Sequence, residues 1–129
     1  MQDVKDRVAV VTGAASGIGL ATAHRFAAEG MHLVLADIEA DALAAAEAAI
    51  KATGVEVLAV PTDVASADAV DRLADAAFGT FGRVHVVFNN AGVAATAATL
   101  RLRAWEGTLA DWDWTMSINL MGVVHGVRA

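Results

Sequence analysis

The sequence predicts an α/β domain in which a doubly wound parallel sheet lies between two layers of helices. Short β-branched runs alternate with longer helix-forming stretches along the 129 residues, and repeated strand–helix crossovers make neighbouring strands parallel. The composition agrees, since 57% of the residues are apolar and 31 are alanine. Alanine favours helices that pack closely on a sheet.

The apolar periodicity predicts four strands, at residues 7–12, 32–36, 55–60 and 84–88. Helices are predicted at 18–29, at 39–53, after an N-cap at Ser66, and from 110 to 129. The helix after Ser66 carries a stripe that should be buried in the core: Val70, Leu73, Ala74, Ala77, Phe78 and Phe81. Residues 93–109 lack a clear period and predict a mobile loop or a short helix. A complete doubly wound sheet has strand order 3-2-1-4-5-6, so we expect this single domain (residues 1–129) to lack its second half.

Charge and residue usage exclude several classes of function. Fifteen acidic against nine basic side chains give a net charge of −6, which argues against nucleic acid or an anionic membrane as partner. The longest charge-free stretches, residues 8–24 and 84–100, contain polar residues and are too short to span a membrane. Without cysteine there is no disulfide or zinc–thiolate site, and a cytoplasmic protein is expected. The four histidines have no metal-binding spacing, so we expect no metal site.

A glycine-rich segment, TGAASGIG at residues 12–19, follows the first strand and begins the first helix. Gly13 would allow a tight turn, Gly17 would let a pyrophosphate approach the backbone, and Gly19 would let helix and strand pack closely. The helix N-terminus would add N–H donors and positive potential. The segment therefore predicts a dinucleotide-binding loop, and a purely structural turn is the alternative.

Acidic residues follow the second and third strands. Asp37 lies 18 positions after Gly19, where a carboxylate could bind both hydroxyls of an adenosine ribose and repel a 2′-phosphate. No Arg or Lys follows it closely, so NAD is predicted over NADP; a plain helix cap is the alternative. Asp63 and Val64 follow the third strand, where Asp63 could orient a base edge or simply form a turn.

Two consecutive asparagines end the fourth strand, in the sequence Asn89-Asn90-Ala91-Gly92. Asparagine is a poor strand residue, and amides at this edge could tie neighbouring strands together and support a cofactor ribose. An ordinary Asn-Gly-type turn is the alternative.

Together these motifs, with Asn119 in MSINLMG, resemble the short-chain dehydrogenase/reductase family from about residue 5 to residue 129. The resemblance implies a Rossmann-like fold that binds NAD. It implies the following cofactor-binding positions: Gly13, Ser16, Gly17, Ile18 and Gly19 at the pyrophosphate, Asp37 and Ile38 at the adenosine ribose, Asp63 and Val64 at the adenine, and Asn90, Ala91 and Gly92 near a cofactor ribose. Asn119 would hold a water molecule in a catalytic proton relay.

The sequence departs from the family in its catalytic residues. The family uses a Ser, a Tyr and a Lys, the last two as Tyr-x-x-x-Lys, whereas this chain has no tyrosine and its lysines are Lys5 and Lys51. We therefore expect the cofactor-binding part of an oxidoreductase that transfers hydride between NAD(H) and an alcohol or ketone, with no turnover by this chain alone. A non-catalytic nucleotide-binding or interaction module, or a fragment with no independent role, is the alternative.

The resemblance also implies a homo-oligomer in the full-length relative, paired through the helix that begins near Ala110. Trp105, Trp112 and Trp114 cluster around this region. We expect them to pack beneath the preceding loop; a border with the substrate is the alternative.

Overall fold

A computed structural model of the chain describes residues 3–94 and 104–129. Strands and helices alternate through the first two thirds of the chain, and two consecutive helices follow. The elements are β1 Val8–Thr12, α1 Gly17–Ala28, β2 His32–Asp37, α2 Ala40–Lys51, β3 Val57–Pro61, α3 Ala67–Phe81, β4 Val86–Phe88, a 3-10 helix Ala104–Glu106, α4 Leu109–Asn119 and α5 Met121–Arg128.

The four strands form one parallel sheet in the order β3-β2-β1-β4. The chain builds outward from β1 to β3, and α3 then crosses back so that β4 lies on the other side of β1. The predicted fold class and the order of the first four strands are confirmed. Loops diverge where the order reverses, between β1 and β4, and the crevice at the carboxyl ends of these strands is the usual ligand site of such sheets.

Apolar residues on β1 and β2 alternate between the two faces of the sheet, and each face has its own core. On one face Val11 and Leu35 pack with residues of α1 and α2, including Leu43. On the other face Val10 and Val34 pack with α3. Side chains of a strand point alternately to opposite faces, so the two helical layers bury β1 completely.

Helix α3 begins as the sequence predicts, because the Ser66 hydroxyl accepts a hydrogen bond of 3.3 Å from the N–H of Ala69. It ends at Gly82 in the left-handed conformation, with φ of 70°. The prediction that Phe78 is buried is wrong, since 50% of it is exposed. Phe78 lines an apolar groove between α3 and α5. The groove is open to solvent, so the ring is not covered.

The single helix predicted over residues 110–129 is two helices that meet at Leu120. A capping box starts α4: the Thr108 hydroxyl accepts from the N–H of Asp111, whose carboxylate accepts from the N–H of Thr108. At the other end, the side chain of Asn119 binds the backbone of Val93. The break therefore coincides with the point where the chain is tied to the segment after β4.

Much of the predicted loop over residues 93–109 lies outside the described residues, and its described end forms the 3-10 helix. The expected burial of the tryptophans is not observed: Trp105 is largely exposed, and Trp112 and Trp114 remain nearly half exposed. The last two lie on α4, none of whose residues is buried. Among the described residues, no helix is long and apolar enough to cross a membrane.

Candidate functional site: a cleft at the carboxyl edge of the sheet

A cleft of about 500 Å³ opens at the carboxyl ends of the strands, beside the glycine-rich loop. Its size is typical of a cofactor site. It is lined by Gly13, Ser16, Gly17, Ile18, Asp37, Ile38, Thr62, Asp63, Val64, Asn90, Ala91, Gly92, Val93 and Ile118. The structure thus brings together every predicted cofactor residue except Gly19. Thr62, Val93 and Ile118 had been missed, because no motif distinguishes them from other strand-end and helix residues.

The three glycines of the loop have different surroundings. Gly13 and Gly17 adopt positive φ angles of 65° and 53°, which side chains disfavour. A Cβ on Gly17 would meet nothing within 4 Å, so the backbone there is open to a ligand. A Cβ on Gly19 would instead collide with the carbonyl oxygen of Gly13 and lie 2.6 Å from Nδ2 of Asn90. Gly19 therefore serves packing, and Gly17 keeps space over the loop.

The N-terminus of α1 points its exposed first turn at this space. Ser16 occupies the N-cap position, yet its side chain makes no capping hydrogen bond. Ser16, Gly17 and Ile18 are all exposed. The first N–H groups of a helix lack partners within the helix and carry its positive potential. This end of the cleft therefore suits an anionic group such as a diphosphate.

Asp37 braces the glycine-rich loop against the start of α2. One oxygen, Oδ2, accepts a hydrogen bond of 2.9 Å from the N–H of Ala15, and Oδ1 accepts one of 3.1 Å from the N–H of Glu39. The two readings of Asp37 are compatible, because the carboxylate supports a helix start and also lines the cleft.

Asn90 ties β4 to β1 through hydrogen bonds with Thr12 and Gly13. Its Nδ2 donates to the carbonyl oxygens of Thr12 and Gly13, at 3.0 and 3.3 Å. In return, the Thr12 hydroxyl oxygen accepts 3.0 Å hydrogen bonds from the N–H groups of Asn90 and Ala91. Thr12 thus organises the turn after β4. Sequence analysis assigned Thr12 no role, although a hydroxyl at the end of an apolar strand, next to the glycine-rich loop, is a signal that could have indicated one.

Asn89 does not join the neighbouring strand. Its Oδ1 is buried and lacks a hydrogen-bond partner among the described residues. The side chain faces α5 instead, where a Cβ on Gly126 would overlap Oδ1 and lie 3.0 Å from Cγ. The prediction that both asparagines tie strands together is therefore right for Asn90 only.

Asp63 forms a turn, and Val64 forms a wall of the cleft. Oδ1 of Asp63 accepts a hydrogen bond of 2.9 Å from the N–H of Ala65, as the turn-forming alternative predicts. Val64 is almost completely buried and still contributes to the cleft lining. An exposed carboxylate and an apolar wall therefore flank the end of β3.

Asn119 fixes the segment that follows Gly92. Its Oδ1 accepts from the N–H of Val93 and its Nδ2 donates to the carbonyl oxygen of Val93, both at 2.8 Å. Both polar atoms of the Asn119 side chain are thus hydrogen-bonded to the backbone of Val93. Asn119 holds α4 beside the cleft, and its neighbour Ile118 reaches the lining.

Three histidines, His32, His85 and His125, form hydrogen bonds with the backbone. Nδ1 of His85 accepts a hydrogen bond of 3.0 Å from the N–H of Val8, which extends the pairing of β1 with the chain before β4. Desolvation of the ring, followed by the charges of Arg7 and Arg83, lowers the pKa of His85. In the part of the chain that the structure describes, no three metal-binding side chains cluster where a metal ion could bind.

Comparison with known proteins agrees with this geometry. The family described as short chain dehydrogenase matches residues 7–129. The chain belongs to the short-chain dehydrogenase family. Its match covers nearly the whole chain, including the glycine-rich loop and the turn after β4.

Individual members of the short-chain dehydrogenase family are closely similar. The 1-deoxy-11-beta-hydroxypentalenate dehydrogenase of Streptomyces exfoliatus is 51% identical over 126 residues, which are 98% of this chain and 45% of that protein. A short chain dehydrogenase/reductase from Burkholderia phymatum, solved in complex with NAD, superposes with a TM-score of 0.91 at 48% identity, over 99% of this chain and 44% of that one. L-sorbose reductase from Gluconobacter frateurii, solved with NADPH and L-sorbose, gives a TM-score of 0.87 at 34% identity, over 98% and 46% of the two chains. The chain spans about half the length of the relatives it matches.

Proposed function

We propose that this chain is the NAD(H)-binding part of an oxidoreductase that transfers hydride between the cofactor and an alcohol or ketone. The observation that carries the proposal is the convergence of the open backbone at Gly17, the Asp37 carboxylate and the Asn90 turn on one cleft. The residues present fit a dinucleotide, because the cleft pairs a helix N-terminus with an acidic group. When bound, the nicotinamide ring would donate or accept the hydride.

Each part of the cleft has a separate task in this proposal. Ser16 and the first N–H groups of α1 bind the diphosphate, with Ile18 beside it. The Asp37 carboxylate binds the hydroxyls of the adenosine ribose, with Ile38 beside it, and Asp63 and Val64 line the adenine pocket. The turn that Asn90 holds in place supports the second ribose.

Asn119 has a supporting task at the nicotinamide end. Since its amide binds Val93 at both polar atoms, it keeps the segment after Gly92 at the mouth of the cleft. A water molecule of a proton relay would lie beside the break between α4 and α5 at this residue.

A preference for NAD over NADP is part of the proposal. A 2′-phosphate placed beside the adenosine ribose would meet the negative charge of Asp37, and like charges in contact cost several kcal/mol. We expect NAD(H) to bind at least about tenfold more tightly than NADP(H), which corresponds to about 1.4 kcal/mol. Titration calorimetry of both cofactors measures this ratio, and equal affinities would contradict the argument.

Two variants separate the charge of Asp37 from its support of the loop. Asp37→Asn removes the charge and keeps an oxygen acceptor for the N–H of Ala15 or Glu39, so the NAD preference should shrink while NAD binding weakens only modestly. Asp37→Ala removes both acceptors as well, and should also weaken binding of both cofactors. An unchanged ratio in Asp37→Asn would show that the charge does not select the cofactor.

We expect no dehydrogenase turnover from these residues alone. Tyrosine is absent from the sequence, and neither lysine is placed for acid–base work in the cleft: Lys51 ends α2 and pairs with Glu47, and Lys5 lies against Gly30. Without a phenol and an adjacent ammonium, no general acid serves the substrate oxygen. Binding of NAD without alcohol-dependent reduction is the expected result, and robust turnover would overturn it.

We also propose that two copies of the chain pair through the apolar stripe of α4 and α5. The apolar stripe consists of Leu109, Trp112, Met116, Leu120, Val124 and Val127, all substantially exposed and three or four residues apart. Residues at this spacing share one face of each helix, and an exposed apolar surface of this length is typical of an interaction surface. A second copy offers the same face and can cover it symmetrically.

Sedimentation velocity of two variants, each with one residue replaced by glutamate, tests this pairing. Met116→Glu places a charge in the middle of the apolar stripe and should yield monomers. Thr80→Glu adds the same charge at an exposed position of α3 and should leave the oligomer intact. Identical sedimentation of Met116→Glu and the unaltered chain would refute the proposed interface.

A further inference from the structure

Val64 separates the cofactor cleft from the apolar groove between α3 and α5. It lines both spaces, and only 7% of it is exposed. The wall is thin, because α5 lies directly behind it: a Cβ on Gly122 would be 2.8 Å from Cγ2 of Val64. The position of this wall of the cleft therefore depends on how α5 is seated.

A hydrogen bond from α5 fixes the backbone of the same residue. Nδ1 of His125 lies 2.8 Å from the carbonyl oxygen of Val64, 61 positions away in the sequence. A carbonyl oxygen can only accept, so Nδ1 carries the proton and donates. On the other side of Val64, the N–H of Ala65 is held by the carboxylate of Asp63. His125 thus provides the contact that holds the Val64 carbonyl from outside the turn.

We infer that His125 is a positioning residue for the adenine side of the cofactor cleft and acts through Val64. The inference rests on the proposed function, since the adenine assignment belongs to it. Losing the donor leaves a carbonyl of the wall unpaired and lets the turn after β3 move relative to the rest of the cleft lining. Ligands that contain adenosine should lose affinity, whereas a ligand that lacks the adenine should not.

Three variants test the inference by titration calorimetry with ADP-ribose, well below their unfolding midpoints. His125→Leu removes the donor and keeps a side chain of similar length. His125→Asn restores a donor, because its Nδ2 is one bond from Cγ, as Nδ1 is in histidine. His24→Leu is the matched control, since His24 is exposed on α1.

We expect His125→Leu to weaken ADP-ribose binding about threefold to tenfold, the range that one hydrogen bond supplies. His125→Asn should recover most of the affinity, and His24→Leu should match the unaltered chain. The affinity for nicotinamide mononucleotide, which lacks adenine, should be the same in all four proteins. A residue that only stabilised the fold would lower the unfolding midpoint without separating the two ligands.

The outcomes distinguish this inference from the proposed function. Failure of the unaltered chain to bind ADP-ribose would overturn both. Binding by the unaltered chain with equal affinity in His125→Leu would overturn the inference alone. Should His125→Leu not fold, nitrogen NMR of the unaltered chain decides: ADP-ribose should shift the His125 ring signals and not those of His24, and unmoved His125 signals would overturn the inference.

Discussion

The substitution Gly19→Ala adds one methyl group. It should destabilise the protein more than a glycine-to-alanine substitution at any other glycine inside a helix near the cleft. The new Cβ would collide with the Gly13 carbonyl oxygen and lie 2.8 Å from the carbonyl carbon of Gly13. Both atoms belong to backbone, which cannot rotate away as a flexible side chain can. Relief requires the glycine-rich loop to move away from α1.

Gly79 provides the matched control for Gly19→Ala. It also lies inside a helix, α3, but is exposed, and a Cβ there would meet nothing within 4 Å. Alanine is favoured over glycine in a helix interior by about 1 kcal/mol. Gly79→Ala should therefore stabilise the protein by up to about 1 kcal/mol. In Gly19→Ala the same gain is outweighed by overpacking, which typically costs 1–3 kcal/mol and more where backbone must move.

Urea unfolding, followed by circular dichroism, measures both changes. With an m-value of about 2 kcal/mol/M, Gly79→Ala should raise the unfolding midpoint by up to about 0.5 M and Gly19→Ala should lower it by about 1 M or more. Gly19→Ala should also lose cofactor affinity, because the displaced loop lines the cleft. Shifts of the same sign in both variants would refute the reasoning.

Three further predictions concern single polar groups. Thr12→Val leaves two N–H groups of the turn after β4 without their acceptor and should cost about 2–4 kcal/mol of unfolding free energy, whereas Thr12→Ser should retain most of it; chemical denaturation compares them. Folding lowers the pKa of His85. The contribution of the neutral His85 ring to the free energy of unfolding is therefore complete above the ordinary pKa of about 6.5 and is lost as the pH falls below that value. His85→Asn, which keeps an acceptor that does not titrate, should therefore flatten the dependence of the unfolding midpoint on pH between about 7 and 5; an equally steep dependence would contradict this role. Thr108→Ala removes the N-cap of α4 and should cost about 1 kcal/mol. It should also reduce the loss of stability at acid pH that follows from the lowered pKa of Asp111, because the main cause, the side-chain hydrogen bond from Thr108, is removed while the hydrogen bond from the Thr108 N–H remains; both effects appear in unfolding curves recorded from pH 7 to 2.

Local sequence patterns were sufficient to predict the strands and helices and most of the residues that line the cleft. The Ser66 cap, the glycine-rich loop and the residues after each strand are short motifs, and parallel strands bring their carboxyl ends to one edge. Thr62, Val93 and Ile118 could not be predicted, because they reach the cleft only through the course of neighbouring backbone. The same limit applies to Phe78, since helical periodicity indicates which face a residue occupies and not whether another element covers that face.

The break between α4 and α5 also could not be predicted from the sequence pattern. Residues 109–128 have no proline, and their composition is compatible with one helix. The break lies where Asn119 binds Val93 and where Gly122 packs on Val64. Contacts between residues distant in sequence decided it.

The sequence by itself determined the fold class, the family resemblance and most of the residues gathered at the cleft, because these depend on periodicity and on short motifs whose backbone requirements are local. Tertiary structure alone decided how those residues share their hydrogen bonds: Asp37 between the loop and α2, Thr12 beneath Asn90, and His125 behind Val64. A hydrogen bond requires the distance between its two groups to be correct to within a few tenths of an ångström. The groups joined here lie up to 79 positions apart in the sequence, and only the packing of the sheet and its helices sets those distances.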